Sequence, residues 1–69
     1  MNYIAIFEDE KGFNKTLELE PLEFEHLPLI YRLFYPGDKE MVFRRDEGMV
    51  EVHGNYIKRY KLILELPIN

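Results

Sequence analysis

Two histidines, His26 and His53, are the only imidazoles in the chain, and 27 positions separate them. With Glu23, Glu25 and Glu51 nearby they offer nitrogen and carboxylate ligands of the kind divalent metals take, but not the short repeated spacing of a metal site. Neither a metal nor another cofactor is expected. Nucleophilic catalysis lacks most of its parts. There is no serine or cysteine, and Thr16 is the only threonine. The four glycines stand apart, in EKGF, YPGD, DEGM and HGN, so no glycine-rich loop precedes a lysine as phosphate cradles require. Paired carboxylates are present as Glu18 with Glu20 and Glu23 with Glu25. A hydrolase also needs a substrate-sized cleft between its two acids, and a 69-residue chain has little material for one. No catalytic residue is assigned, and the chain is expected not to be an enzyme.

Two local patterns point instead to binding. The segment ELEPLEFE sets Glu18, Glu20, Glu23 and Glu25 around Leu22 and Phe24, an acidic surface with apolar anchors that suits a basic protein partner. Tyr35 joins this protein-binding set, because LIYRLFY is apolar on both faces and one of them is left for a partner or a second subunit. The second pattern is basic and aromatic: Arg44 and Arg45 in FRRD, and Lys58, Arg59, Tyr60 and Lys61 in YIKRYK. Basic groups that neutralise phosphates beside rings that stack on unpaired bases are the chemistry of single-stranded nucleic-acid binding. The leading expectation is a non-catalytic protein–protein interaction module, acting stoichiometrically as an adaptor or inhibitor. The alternative is single-stranded nucleic-acid binding through the basic and aromatic residues. Self-association as a homo-oligomer belongs to the first reading, with a protein partner of unknown identity.

Charge follows the same division. The net charge is -4, yet residues 1–31 hold seven acidic groups against two lysines, whereas residues 32–69 hold six against seven basic groups. Cysteine is absent, which removes disulfides and favours a reducing compartment. The opening MNYIAIFEDE has no basic leader, and no apolar run approaches the roughly 18 residues that span a bilayer. A cytoplasmic location away from membranes is therefore expected.

The elements that position these residues read mainly as strands, in one small domain over residues 1–69. YIAIF is a short apolar strand, and EDEKG, with its charges and Gly12, is a hairpin connection. FNKTLELE alternates, with Phe13, Lys15, Leu17 and Leu19 on one side. Pro21 ends that strand, and LEFEHLP is either an edge strand or one helical turn before Pro28. Leu29–Tyr35 is a strand and PGDKE a turn. MVFRR and MVEVH form two arms about a tight turn at Asp46–Gly48, with Val50 and Val52 directed to the core. Gly54 and Asn55 reverse the chain again.

The tail YIKRYKLILEL admits two readings. As a strand it gathers Tyr56, Tyr60, Leu62, Leu64 and Leu66 on one face with a single lysine, Lys58, among them. As a helix it leaves Leu62 and Leu66 off its apolar stripe. The strand is preferred. The expected fold is mostly β, a small antiparallel meander forming a rolled sheet or partly open barrel. The alternative is an antiparallel sheet with a C-terminal covering helix.

Overall fold

The computed structural model describes residues 2–12, 14–35 and 39–67, with the backbone alone described at Asn14, Tyr35 and Glu47. Five strands run in chain order with one short helix: β1 (Tyr3–Glu8), β2 (Asn14–Leu19), α1 (Pro21–Glu25), β3 (Ile30–Tyr35), β4 (Lys39–Val52) and β5 (Asn55–Pro67). They form a single curled sheet in the order β2-β1-β5-β4-β3. The rolled all-β reading holds, and the tail is a strand. Its thirteen residues are β5, at the centre of the sheet, so the C-terminal covering helix is set aside. A central strand needs apolar side chains on the face it buries. The strand periodicity supplies Tyr60 and Leu62 there, where the helical stripe would have wasted Leu62.

Three of the four strand pairs are antiparallel; β1 and β5 are parallel, with Tyr3 beside Tyr56 and Phe7 beside Tyr60. A parallel neighbour demands a long crossover. Here β2, α1, β3 and β4 all intervene between the two partners. The crossover lays α1 and residues 26–29 across the inner face of the sheet, where Ala5, Phe7, Met41, Phe43 and Tyr60 form the buried cluster. Phe7 is the hub of that cluster. Its ring stacks on Tyr60 at 4.9 Å and meets Tyr31 and Phe43 at 5.0 and 5.3 Å.

Of the two readings of LEFEHLP, the structure takes the helical turn. Pro21 occupies its first turn, where a missing N–H costs nothing, and the Glu23 carboxylate accepts the Glu20 N–H at 3.0 Å. The hairpin at Glu8–Gly12 forms as expected: Asp9 accepts the Lys11 N–H at 2.9 Å, and Gly12 takes a φ of 84°. Phe13 and the turn residues Pro36–Asp38 lie outside the described residues.

Two expectations about β4 are corrected. Asp46–Gly48 is not a turn, because β4 continues from Lys39 to Val52 through an irregularity: Asp46 faces Arg59 while Val50 faces Ile57. Two surplus residues on β4 are thus absorbed as a bulge, which bends the strand without reversing it. Val50 and Val52 accordingly do not reach the core and are 43% and 42% exposed. The β4–β5 arm overshoots the sheet at this end. Val52 pairs with Asn55, beyond Tyr56, where the β1 pairing begins at Tyr3.

The reversal itself occupies His53 and Gly54, both at positive φ (51° and 80°), between the paired Val52 and Asn55. A two-residue loop with two left-handed positions matches the twist of its strands. Gly54→Ala is expected to cost about 1–2 kcal/mol, since a Cβ disfavours that backbone region. Urea denaturation checks this, and an unchanged midpoint would refute the assignment.

Candidate functional site

The sheet has an inner and an outer face, and the strand registers assign each candidate residue to one of them. On the inner face Arg45, Lys58 and Tyr60 converge on the crossover. The Lys58 ammonium donates to the Phe24 carbonyl at 2.7 Å and sits 4.6 Å from the Phe24 ring centroid. Arg45 donates to the Leu27 carbonyl at 3.2 Å, and the Tyr60 hydroxyl donates to the Pro28 carbonyl. Three side chains thus bond three carbonyls of the crossover, of which that of Phe24 also accepts the Leu27 N–H at 3.4 Å. Unpaired carbonyls there would lose their water without compensation. Ala5 lies opposite Lys58 in the β1–β5 register and has no bulk to compete with the lysine stem.

Burial pushes the Lys58 ammonium below its ordinary value, the Arg45 charge adds to the effect, and Glu25 opposes it. Burial likewise pushes the Tyr60 hydroxyl up, with Arg45 pulling the other way. Because the phenolate is disfavoured in the fold, Tyr60 retains its proton in the native state above about pH 10, where the unfolded chain releases it. Stability is therefore lost as pH rises past that value. Lys58 has the opposite slope, favouring the fold as it deprotonates. Tyr60→Phe is expected to remove the tyrosine slope, which is read by comparing unfolding midpoints of both proteins between pH 9 and 11. Parallel profiles would show that Tyr60 titrates alike in both states.

The six basic and aromatic candidates do not form one surface. Arg45, Lys58 and Tyr60 face inward, and Tyr60 is fully buried, so its ring has no open face for a base. Arg59 and Lys61 point outward, where Arg59 pairs with Glu8 at 2.7 Å and Lys61 with Asp46 at 3.4 Å. The carboxylate of Glu8 raises Arg59 further above its ordinary value, by its hydrogen bond first and its charge second. Arg44, across from Lys61, is exposed on the outer face. Strand alternation already separates Lys58 and Tyr60 from Arg59 and Lys61 on β5; the β4–β5 register adds that Arg45 joins the inward pair and Arg44 the outward one.

The acidic candidates are exposed: Glu18 on β2, Glu20 before α1, and Glu23 and Glu25 on α1. Leu22 beside them is 68% exposed, but Phe24 is 4% exposed and packs on Tyr3 at 5.3 Å. Phe24 is thus a core residue, and its use as a surface anchor is corrected. In one helical turn, residues two positions apart cannot share a face, so Leu22 and Phe24 point apart. Tyr35 ends β3, and its side chain lies outside what the structure describes. An open concavity of about 370 Å³ is lined by Asn2, Tyr3 and Glu18 to Pro21, and its two carboxylates, Glu18 and Glu20, are exposed to solvent. Among the described residues, no three His, Asp or Glu side chains come together as a ligand set. His26 and His53 lie on different elements, at the end of α1 and at the β4–β5 turn; the His26 Nδ1 is 2.8 Å from the Leu22 carbonyl.

The outer face carries a feature that residue types alone did not locate. Register places Arg32, Val42 and Leu64 side by side across β3, β4 and β5, with Phe34, Glu40 and Leu66 in the adjacent row. Val42 is buried, whereas Phe34, Leu64 and Leu66 are 65%, 49% and 39% exposed. Ile63 contributes to the exposure because β5 has one residue more than β4 at this point: Val42 faces Leu64 and Phe43 faces Leu62, leaving Ile63 unpaired. The extra residue shifts the alternation, so Leu64 and Leu66 are carried off the core face that simple periodicity assigned to them.

The chain matches no protein-family model, no curated protein and no solved structure. No helix among the described residues is long and apolar enough to cross a membrane.

Proposed function

We propose that this chain is a non-catalytic protein–protein interaction module, a stoichiometric adaptor or inhibitor, whose contact surface is the outer face of β3, β4 and β5. The observation that carries the reading is the exposure of Phe34, Leu64 and Leu66 around the buried Val42. Large apolar groups gathered on one sheet face mark a surface that another protein covers. Shape supports it as well. The radius of gyration is 12.5 Å, against about 11 Å for a compact chain of this length, and the extents are 41 × 23 × 17 Å. Such a chain covers less of its own apolar surface than a compact one of equal mass. Rim charges from Arg32 and Arg44 would orient the partner, while the apolar groups supply affinity; Glu40, between Phe34 and Leu66, is paired with Arg32 at 3.7 Å. Lack of cysteine supports a reducing, cytoplasmic setting.

The test is a comparative pull-down from source-cell extract with and without nuclease treatment, using wild type, a Phe34→Glu/Leu64→Glu variant and a Leu22→Glu control. Capture of a protein by wild type and the control, lost in the double variant with an unchanged circular dichroism spectrum, is the expected result. Equal capture by all three would overturn the outer-face assignment. Loss confined to Leu22→Glu would move the surface to the acidic face of α1. Capture that vanishes with nuclease would overturn the protein-binding reading.

A further inference from the structure

The outer face ends at an edge with its own chemistry. β3 is the last strand of the sheet, and its register with β4 decides which backbone groups point outward. The Arg45 N–H donates to the Leu29 carbonyl at 2.8 Å, so the Leu29–Arg45 pair is hydrogen-bonded. Antiparallel ladders alternate. Tyr31 and Leu33 therefore also bond to β4, while Ile30, Arg32 and Phe34 direct their N–H and C=O groups away from the sheet. The side chains of those three residues lie on the outer face. Edge strands exposed in this way are usually blunted by lysine, proline or a bulge. The opposite edge, β2, is guarded by Lys15 and Glu18, both exposed. Along β3 the single charge is Arg32, already 3.7 Å from Glu40, so no like-charge barrier protects this edge.

We propose that two copies of this chain join through β3, antiparallel about a two-fold axis at Leu33, extending the two sheets into one. The occupant is a second copy because the strand is self-complementary in this register. Each Arg32 falls opposite Phe34 of the other copy, setting a guanidinium against an exposed ring. Centring on Arg32 would instead oppose two like charges, and centring on Tyr31 would set each Arg32 against Ile30 and lose the contact with the ring. Pairing β3 with its own copy also closes the assembly, whereas pairing β3 with β2 would propagate a filament. The inference rests on the protein-binding reading and adds a second contact to it: the edge joins the two copies, and the apolar outer face, left uncovered, continues across the axis.

Sedimentation equilibrium from about 5 μM to about 1 mM is expected to show a monomer–dimer equilibrium. Amide exchange separates edge pairing from any other association. In the dimer the amides of Arg32 and Phe34 exchange slowly, and at the dilute end they exchange fast, while Tyr31 and Leu33 stay protected throughout. Arg32→Pro removes an outward N–H that the fold does not use and is expected to weaken dimerisation roughly 30-fold or more, as two hydrogen bonds per dimer are lost. Phe34→Lys provides a second variant on an exposed position, expected to be monomeric with a native spectrum. A wild-type monomer at 1 mM, or a dimer whose Arg32 and Phe34 amides exchange fast, would overturn the proposal. A monomer that still captures a partner through Phe34 and Leu64 would leave the wider protein-binding reading standing.

Discussion

Replacing Tyr60 by alanine is expected to lower stability by about 3–5 kcal/mol, the range for deleting a buried aromatic ring. Tyr60 is completely buried, stacks on Phe7, meets Tyr31 edge-on at 5.8 Å and donates to the Pro28 carbonyl. The substitution therefore opens a cavity at the centre of the sheet and releases the crossover in one step. For a domain of this size each kcal/mol moves the midpoint by about 4–8 °C, so thermal circular dichroism should show a drop of roughly 12 °C at the least. Tyr60→Phe keeps the ring and loses only the hydroxyl bond, and about 1 kcal/mol is expected. The two values together separate packing from the clamp. A similar cost for both would mean that the ring has little packing role.

Phe24→Ala is expected to cost about 3–5 kcal/mol, while Leu22→Ala, two positions away on the same helical turn, stays within about 0.5 kcal/mol. Phe24 closes the crossover onto Tyr3 and lies under the Lys58 ammonium; Leu22 projects into solvent. A five-residue helix has almost no stability of its own. Its place on the sheet thus depends on this one ring and on the carbonyls held by Lys58, Arg45 and Tyr60. Chemical denaturation of both variants measures the contrast. Equal effects would show that the turn is not anchored through Phe24, and the clamp would then have to act through the backbone alone.

These two results bear on how the basic residues are used. Lysine and arginine beside tyrosine suggest a nucleic-acid surface when read along the chain. In the fold, Lys58 and Arg45 share an inward side with Tyr60 and are spent on the crossover, whereas Arg59 and Lys61 are paired across the outer face with Glu8 and Asp46. Surface ion pairs of the latter kind contribute little to stability. Their effect is on the outer face, where they balance charge near the apolar rows.

Local pattern was sufficient for the strand character of YIAIF, for the alternation of Leu17 and Leu19 in β2, for the reversal at Gly54 and for the strand reading of the tail, because each depends on side-chain period and turn chemistry within a few residues. The proline at position 21 likewise announced the break before α1. Other features depend on register between distant segments. The parallel partnership of β1 with β5 joins residues more than 50 positions apart, and no local preference encodes it. The irregularities in β4 and β5 arise only when the two strands are paired. The extra residue at Ile63 carries Leu64 and Leu66 off the face alternation alone would bury, whereas the two surplus residues of β4 keep its parity, so Val50 and Val52 stay on the outer side with Val42 because no turn intervenes. Phe24 became core and Leu22 surface because the segment takes the helical turn, which turns residues two positions apart to different sides. Composition determined that this chain has strands enough for one sheet and few groups for catalysis; the pairing of those strands decided which apolar residues the sheet could cover and which it left facing outward.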